Sequence, residues 1–470
     1  MGKRAQTVKT SHSQGHRSKS GGHSSACRRP AGRKAGPAPD PTGFGKALKR
    51  VVVTCFPDLN RWLGELPDPR KQSMCKYAGS HIWWQILLTF ILRNGSRNAF
   101  DADRNTGQMP ENVLRLCGQQ WDEKRLGKRR TVTCSGNAVI HAGRVSHVKV
   151  GMLLLAMVKR LIQMRLLESA RLFNRWWLIV IDGTLQDRGR KTTRMWKSRY
   201  RYIVEAKLIG PFGTIWPLMT EFQDMSDPIR EKEDCELNAC LRLMQRLEKE
   251  FPRLPICFLF DGLYPVQRIF DRVVKAGWKF IATLKEGRQP NAYDEAVQTM
   301  LLSPSNVYHC QRMGEDGIVD QTLRWTQQVP FDKHEFDVVF AGEISPTCAT
   351  LWAWVTNLSI NTGKEAFAVA NHGGRVRNRI ESSFNVQKND GFGLEHAFCA
   401  NETASKNYHL IMQMAHTINQ LLIGGLLRRL TRGCRKVTDI ALIVLLRNCL
   451  QVLTIGDDPI PRCQIRLAPI

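Results

Sequence analysis

The stretch Arg375-Val-Arg377-Asn-Arg379-Ile-Glu381-Ser-Ser-Phe384-Asn-Val-Gln-Lys388 sets one carboxylate among cations. On a helix of about 3.6 residues per turn, Arg377, Glu381, Phe384 and Lys388 fall on one stripe. That layout suits a carboxylate that holds a metal while its neighbours grip phosphate oxygens. Two earlier acids sharpen the reading. Asp182 ends the apolar run Trp176-Trp-Leu-Ile-Val-Ile, and Asp261 ends Ile256-Cys-Phe-Leu-Phe. The spacings are 79 residues (261 − 182) and 120 residues (381 − 261). Carboxylates gathered at one place repel as bare anions, and divalent cations relieve that repulsion. Two ions about 3.5–4 Å apart activate an attacking oxygen and stabilise a leaving one. A donor set of oxygens without His or Cys favours Mg²⁺ or Mn²⁺ over zinc. The expectation is two ions, with Asp182 bridging both, Asp261 on one and Glu381 on the other. A lone strand-end Asp is a common turn residue, and Arg377 with Glu381 alone is an ordinary i, i+4 ion pair. The combination with Lys388 carries the reading.

The elements that must position these residues are legible in the periodicity. Residues 173–285 read as strands at 176–182, 200–209 and 213–222, the last two joined by the turn Gly210-Pro-Phe-Gly213. A helix at 230–249, the strand ending at Asp261, a helix at 264–276 and a strand at 278–284 follow. Three consecutive strands, a helix and a parallel strand make a ribonuclease H-like pattern. Its first and fourth strands are neighbours, which brings Asp182 and Asp261 together at a carboxyl edge of the sheet. Residues 286–348 read as a β-rich insertion, and 349–404 as the second part of the core, with a last strand at Leu351–Asn357 and the Glu381 helix. The fold class is therefore α/β, a ribonuclease H-like core interrupted by a β-rich insertion.

Helical regions flank this core. Residues 46–172 carry apolar helices at 79–93 and 148–172 around the basic cluster Lys124–Arg130 and read as a DNA-binding region. Residues 405–470 are helical, with Arg428, Arg429, Arg432, Arg435 and Lys436. Residues 1–45 carry almost no large apolar side chains and read as a disordered basic tail, whose His12, His16 and His23 are incidental.

The net charge of +27 on 470 residues, with a pI near 9.9, favours a polyanionic partner, nucleic acid before membrane. The 14 cysteines form no Cys-x-x-Cys, and Cys235 and Cys240 lack a zinc-like partner spacing. Free thiols in a cytoplasmic protein are the expectation. No apolar run reaches about 18 residues. The longest, His81–Leu92, reads as a buried helix.

Taken together, these residues resemble the DDE transposases of bacterial insertion sequences. The resemblance is to the cut-and-paste group with a β-strand insert and a Tyr-x2-Arg-x3-Glu-x6-Lys signature. It spans roughly 65–430 and rests on Arg377-x3-Glu381-x6-Lys388, Asp182-Gly-Thr, Asp261 and Gly391-Phe-Gly-Leu-Glu-His396. The signature's Tyr position is Gly374, which puts one phosphate or stacking contact in doubt; His372 is the candidate substitute. The resemblance implies a homodimer that binds the inverted-repeat ends of its own element, cuts with two metal ions and joins the 3′-hydroxyls to target DNA, near the bacterial nucleoid. Arg377 and Lys388 correspond to phosphate-binding residues, with Arg375 and Arg379 as less direct contacts. Trp352, four residues before Thr356, matches a tryptophan that stacks on a flipped base, with Trp354 on the same strand face and Trp325 a weaker candidate. Two rivals remain: a metal-dependent nuclease of the same fold, and a catalytically silent DNA-binding descendant.

Overall fold

The computed structural model describes residues 36–188, 200–224, 232–314, 317–456 and 464–468. Nine strands share one mixed sheet: β1 (Trp177–Arg188), β2 (Tyr200–Ile209), β3 (Ile215–Asp224), β4 (Ile256–Phe260), β5 (Lys279–Thr283), β6 (Val307–Gly314), β7 (Gly317–Phe331), β8 (His334–Ile344) and β9 (Ala349–Thr356). Their order is β3-β2-β1-β4-β5-β9-β8-β7-β6. The protein is thus mixed α/β. β1 runs antiparallel to β2 and parallel to β4, and β4 runs parallel to β5. β4 is buried at every position, as is β1 from Trp177 to Ile181, which is why both read as continuous apolar runs. The strands of the insertion form no separate sheet. β6 to β9 are an antiparallel meander, and β9 pairs with β5, so the meander extends the same sheet.

Side chains alternate across a strand, so β2 addresses both faces of the sheet. Tyr202 meets the helix Lys232–Glu250 on one face. Lys207 meets the helix Arg379–Asn389 on the other, beside the helix Glu402–Leu422. The turn between β2 and β3 holds Phe212 at φ 57° and Gly213 at φ 74°, left-handed values that a tight reversal requires.

The helix Gly79–Ile91 is buried along almost its whole length, as a core helix must be. The helix expected over 148–172 spans His147–Gln163 and stops there. Arg165 adopts φ 57°, which cannot continue a right-handed helix. Leu167 then enters the core from a short 3₁₀ turn region. The helical stretch Glu402–Leu430 is long and apolar enough to cross a membrane, but 94% of its apolar window is buried inside the fold. Its buried asparagines donate to carbonyls of neighbouring segments. Asn407 donates to the Ala142 and Val145 carbonyls, and Asn419 to that of Ile91.

Of the tail expected over 1–45, residues 1–35 lie outside the described residues. Residues 36–43 lead into the helix Phe44–Cys55, and the Pro37 carbonyl accepts from the Arg435 N–H. In the basic cluster, Arg130 pairs with Glu111. Among the C-terminal cations, Arg428 pairs with Asp439.

Candidate active site

The register of the sheet decides where the two aspartates sit. β1 pairs with β4 from Trp177–Ile256 to Val180–Leu259, an offset of 79 residues (256 − 177). Asp182 and Asp261 have the same offset, so they stand abreast two residues beyond the last pair. Neighbouring strands lie about 4.8 Å apart. The Gly183 N–H donates to Asp182 Oδ1 at 2.9 Å, and the Leu263 N–H donates to Asp261 Oδ1 at 2.8 Å. Asp182 is thus held by the next residue of β1, a strand that runs on to Arg188 past the expected end at 182, and Asp261 by the turn that follows β4.

Glu381 reaches this pair through a guanidinium. Arg377 donates to Asp182 Oδ2 at 3.5 Å and pairs with Glu381 Oε1. Burial pushes the Asp182 carboxyl up to about 7; the Arg377 charge opposes this, and the charges of Asp261 and Glu236 add to it. Glu381 itself is exposed, at 54% of its side chain. Among the described residues, no group of three or more His, Cys, Asp or Glu side chains is arranged to hold a metal ion. The two aspartates offer hard oxygen donors side by side, whereas Glu381 is turned to Arg377.

The signature segment is less regular than a single helix. Ala368–Gly373 is a π turn, Gly374–Asn378 is 3₁₀, and the α-helix begins at Arg379. Arg377 therefore precedes the helix that carries Glu381, and the expected four-residue stripe is divided. Phe384 is buried while Glu381 faces solvent. The irregularity has a packing cause. A Cβ at Gly373 would collide with Ile281 of β5, and one at Gly374 with the Trp354 indole of β9. Gly374 thus lets the segment press onto β9, and a Tyr at that position has no room while Trp354 stays in place. His372 is exposed, its ring edge-on to Phe367 at 5.6 Å.

The remaining candidates separate. Lys388 pairs with Glu395 at 3.0 Å, a residue of the loop that follows the helix. Arg375 pairs with buried Glu343 of β8 and lies over the Trp352 ring at 5.0 Å. Arg379 is exposed on the side of the helix that meets the β2–β3 turn. Trp352 and Trp354 stack nearly parallel with centroids 6.1 Å apart. Trp354 is buried and Trp352 is partly exposed, so Trp352 is the ring that solvent reaches; Trp325 is buried.

Three buried groups escape the sequence reading. Glu236 lies behind the aspartates and accepts from Tyr202 Oη at 2.7 Å and Tyr264 Oη at 2.9 Å. A Cβ at Gly183 would strike the Tyr202 hydroxyl, so that glycine lets the tyrosine pass. Tyr264 belongs to the turn after Asp261, and Glu236 therefore ties β2 to the turn that follows β4. Lys207 and Glu205 are fully buried and form an ion pair at 2.8 Å. Lys207 also donates to Ser383 Oγ at 3.2 Å and Gln387 Oε1 at 3.4 Å, and lies 4.3 Å from the Phe384 ring centre. His409 Nε2 lies 2.8 Å from Glu205 Oε1, and Gln413 links Gln387 with His409. This network fastens the buried face of the signature helix to β2, the strand beside Asp182. Glu205 is the cross-strand partner of Asp182.

No family model matches the chain, and no curated protein matches it. The functional reading therefore rests on the residues and their geometry.

Proposed function

We propose that this protein is a DDE transposase, which binds the inverted-repeat ends of its own element, cuts them with divalent metal and joins the 3′-hydroxyl ends to target DNA. The observation that carries the reading is the placement of Asp182 and Asp261 abreast on neighbouring parallel strands, with Arg377 joining Asp182 to Glu381. The partial order β3-β2-β1-β4-β5, with β2 antiparallel, agrees with a ribonuclease H-like core, and β6–β8 agree with a β-rich insertion between β5 and β9. The charge of +27 suits a DNA partner. Two ends must be held at once, so a homodimer is the acting form, at the bacterial nucleoid.

Asp182, Asp261 and Glu381 would hold Mg²⁺ or Mn²⁺, which when bound supplies charge neutralisation and activation of oxygen nucleophiles. Glu381 joins the aspartates once Arg377 turns to a phosphate. Arg377 is suited to that exchange because a guanidinium binds carboxylate and phosphate in the same forked geometry. Lys388 adds a second cation along the strand, and Trp352, backed by Arg375, offers a ring face to an unstacked base. The buried Lys207 network holds the helix still while its exposed face works. The pairing of Glu381 with Arg377 favours one second reading, a DNA-binding protein that keeps the fold and no longer cuts.

Metal-dependent cutting by the wild type separates the two, and Glu381→Gln tests the part this carboxylate plays in it. The transposase reading expects cutting to fall by about 1,000-fold, since a lost metal contact costs several kcal/mol and each 1.36 kcal/mol is tenfold. Binding of the end DNA, measured by gel shift, stays unchanged. Cutting at the wild-type rate removes Glu381 from the site.

A further inference from the structure

A cavity of about 380 Å³ opens beside the first turn of the signature helix, walled also by the β2–β3 turn and the helix Glu402–Leu422. Its lining includes Arg93, Arg379, Phe212, Ser382, Asn419 and Gln420. Ser382 follows Glu381 directly, so the cavity adjoins the candidate active site on the helix side.

Three features of this lining point to a ligand. Arg93 lies over the Phe392 ring at 5.0 Å, and its Nε and Nη1 are buried without a hydrogen-bond partner. The carboxylate of Asp439, which also lines the cavity, is taken by Arg428. A sheltered guanidinium lacking hydrogen bonds is costly, and an anion in the cavity offsets that cost. Arg379 makes no ion pair among the described residues and faces the same space. Phe212 is 55% exposed at the tip of the β2–β3 turn, where its left-handed backbone holds an apolar ring in solvent. An aromatic face next to two cations is the combination that binds a base and its phosphate.

We propose that this cavity receives one nucleotide of a single DNA strand, its phosphate between Arg93 and Arg379 and its base against Phe212. The site is distinct from the Trp352 face, which lies on β9. Its assignment to the DNA being cut rests on the transposase reading; binding of single-stranded DNA does not.

The test uses the full chain and a fluorescein-labelled single-stranded hexanucleotide, with Kd measured by anisotropy at fixed salt. Phe212→Ala, Arg379→Ala and Arg93→Met each weaken binding about tenfold, the scale of one stacked base or one phosphate contact. Phe212→Trp keeps wild-type affinity. Arg246→Ala, which removes a cation beside another cavity, also leaves it unchanged. Equal affinity in all these variants overturns the proposal, as does a loss as large in Arg246→Ala. Metal-dependent cutting of duplex DNA is measured on the same proteins. Selective loss of binding without any cutting by the wild type keeps the cavity and removes the transposase reading. Cutting by the wild type, with the three cavity variants binding and cutting equally well, removes the cavity alone.

Discussion

Asp182→Asn raises the apparent Tm of the metal-free protein at pH 8 and, on the transposase reading, abolishes cutting. The stability half follows from where the carboxyl sits. It is largely buried, with Asp261 beside it and Glu236 behind, and its pKa rises to about 7 against an ordinary value near 4. Between those two pH values the folded protein binds a proton that the unfolded chain has released. Stability therefore falls as pH climbs from about 4 to 7 and stays low above that. The penalty at pH 8 is at most about 4 kcal/mol, from three pKa units at 1.36 kcal/mol each. Asn removes the charge and keeps the shape. Thermal melts in EDTA from pH 5 to 9 check this: the wild type loses several degrees across the range, and the variant loses less. A divalent cation raises the wild-type Tm at pH 8 and leaves Asp182→Asn nearly unmoved. A variant that melts like the wild type at every pH shows that Asp182 carries no such penalty.

Lys207→Met destabilises the protein by about 3–5 kcal/mol, the usual cost of breaking a buried ion pair by removing one partner. The change leaves Glu205 buried, with His409 and Thr220 as its remaining neighbours. Burial pushes the Glu205 carboxyl up, and the Lys207 charge together with the His409 hydrogen bond outweighs it, holding the carboxyl down near 2. That part of the stability is present above the ordinary carboxylate range and is lost as pH falls through about 2. The variant also frees Ser383 and Gln387, so the signature helix loses its anchor on β2. Cutting drops with stability at 37 °C and recovers in part on cooling. The double variant Lys207→Met/Glu205→Leu regains most of the lost stability, because no charge is then left unpaired. Urea melts of the three proteins check both statements.

How much of this could be read from the chain differs by residue. The two aspartates were visible because continuous apolar runs stop at them. Their 79-residue separation equals the strand register, a fact that only pairing can reveal. Gly374 reads in sequence as a missing tyrosine; in the fold it is the room that Trp354 requires. Glu205 and Lys207 alternate with Ala206 and Leu208, and such alternation ordinarily marks a strand with one wet face. Here helices cover that face, and the charges pair with each other. The helix Glu402–Leu422 hides its role for the same reason, since His409, Gln413 and His416 are buried polar residues in an otherwise apolar pattern. Glu236 sits in a strongly charged helix, and nothing in its local sequence distinguishes it from its exposed neighbours. Contacts made over long sequence separations, such as those of Arg93 with Phe392 and of Arg375 with Glu343, have no local signature.

The central claim is that Asp182, Asp261 and Glu381 act together on DNA. Its most direct test incubates the purified protein with Mg²⁺ and a labelled duplex carrying the DNA that flanks its gene, beside the Asp182→Ala form. The account predicts cuts that leave 3′-hydroxyls and joined products, both absent from the variant and from reactions with EDTA. Binding of that duplex without metal-dependent cutting by the wild type contradicts it.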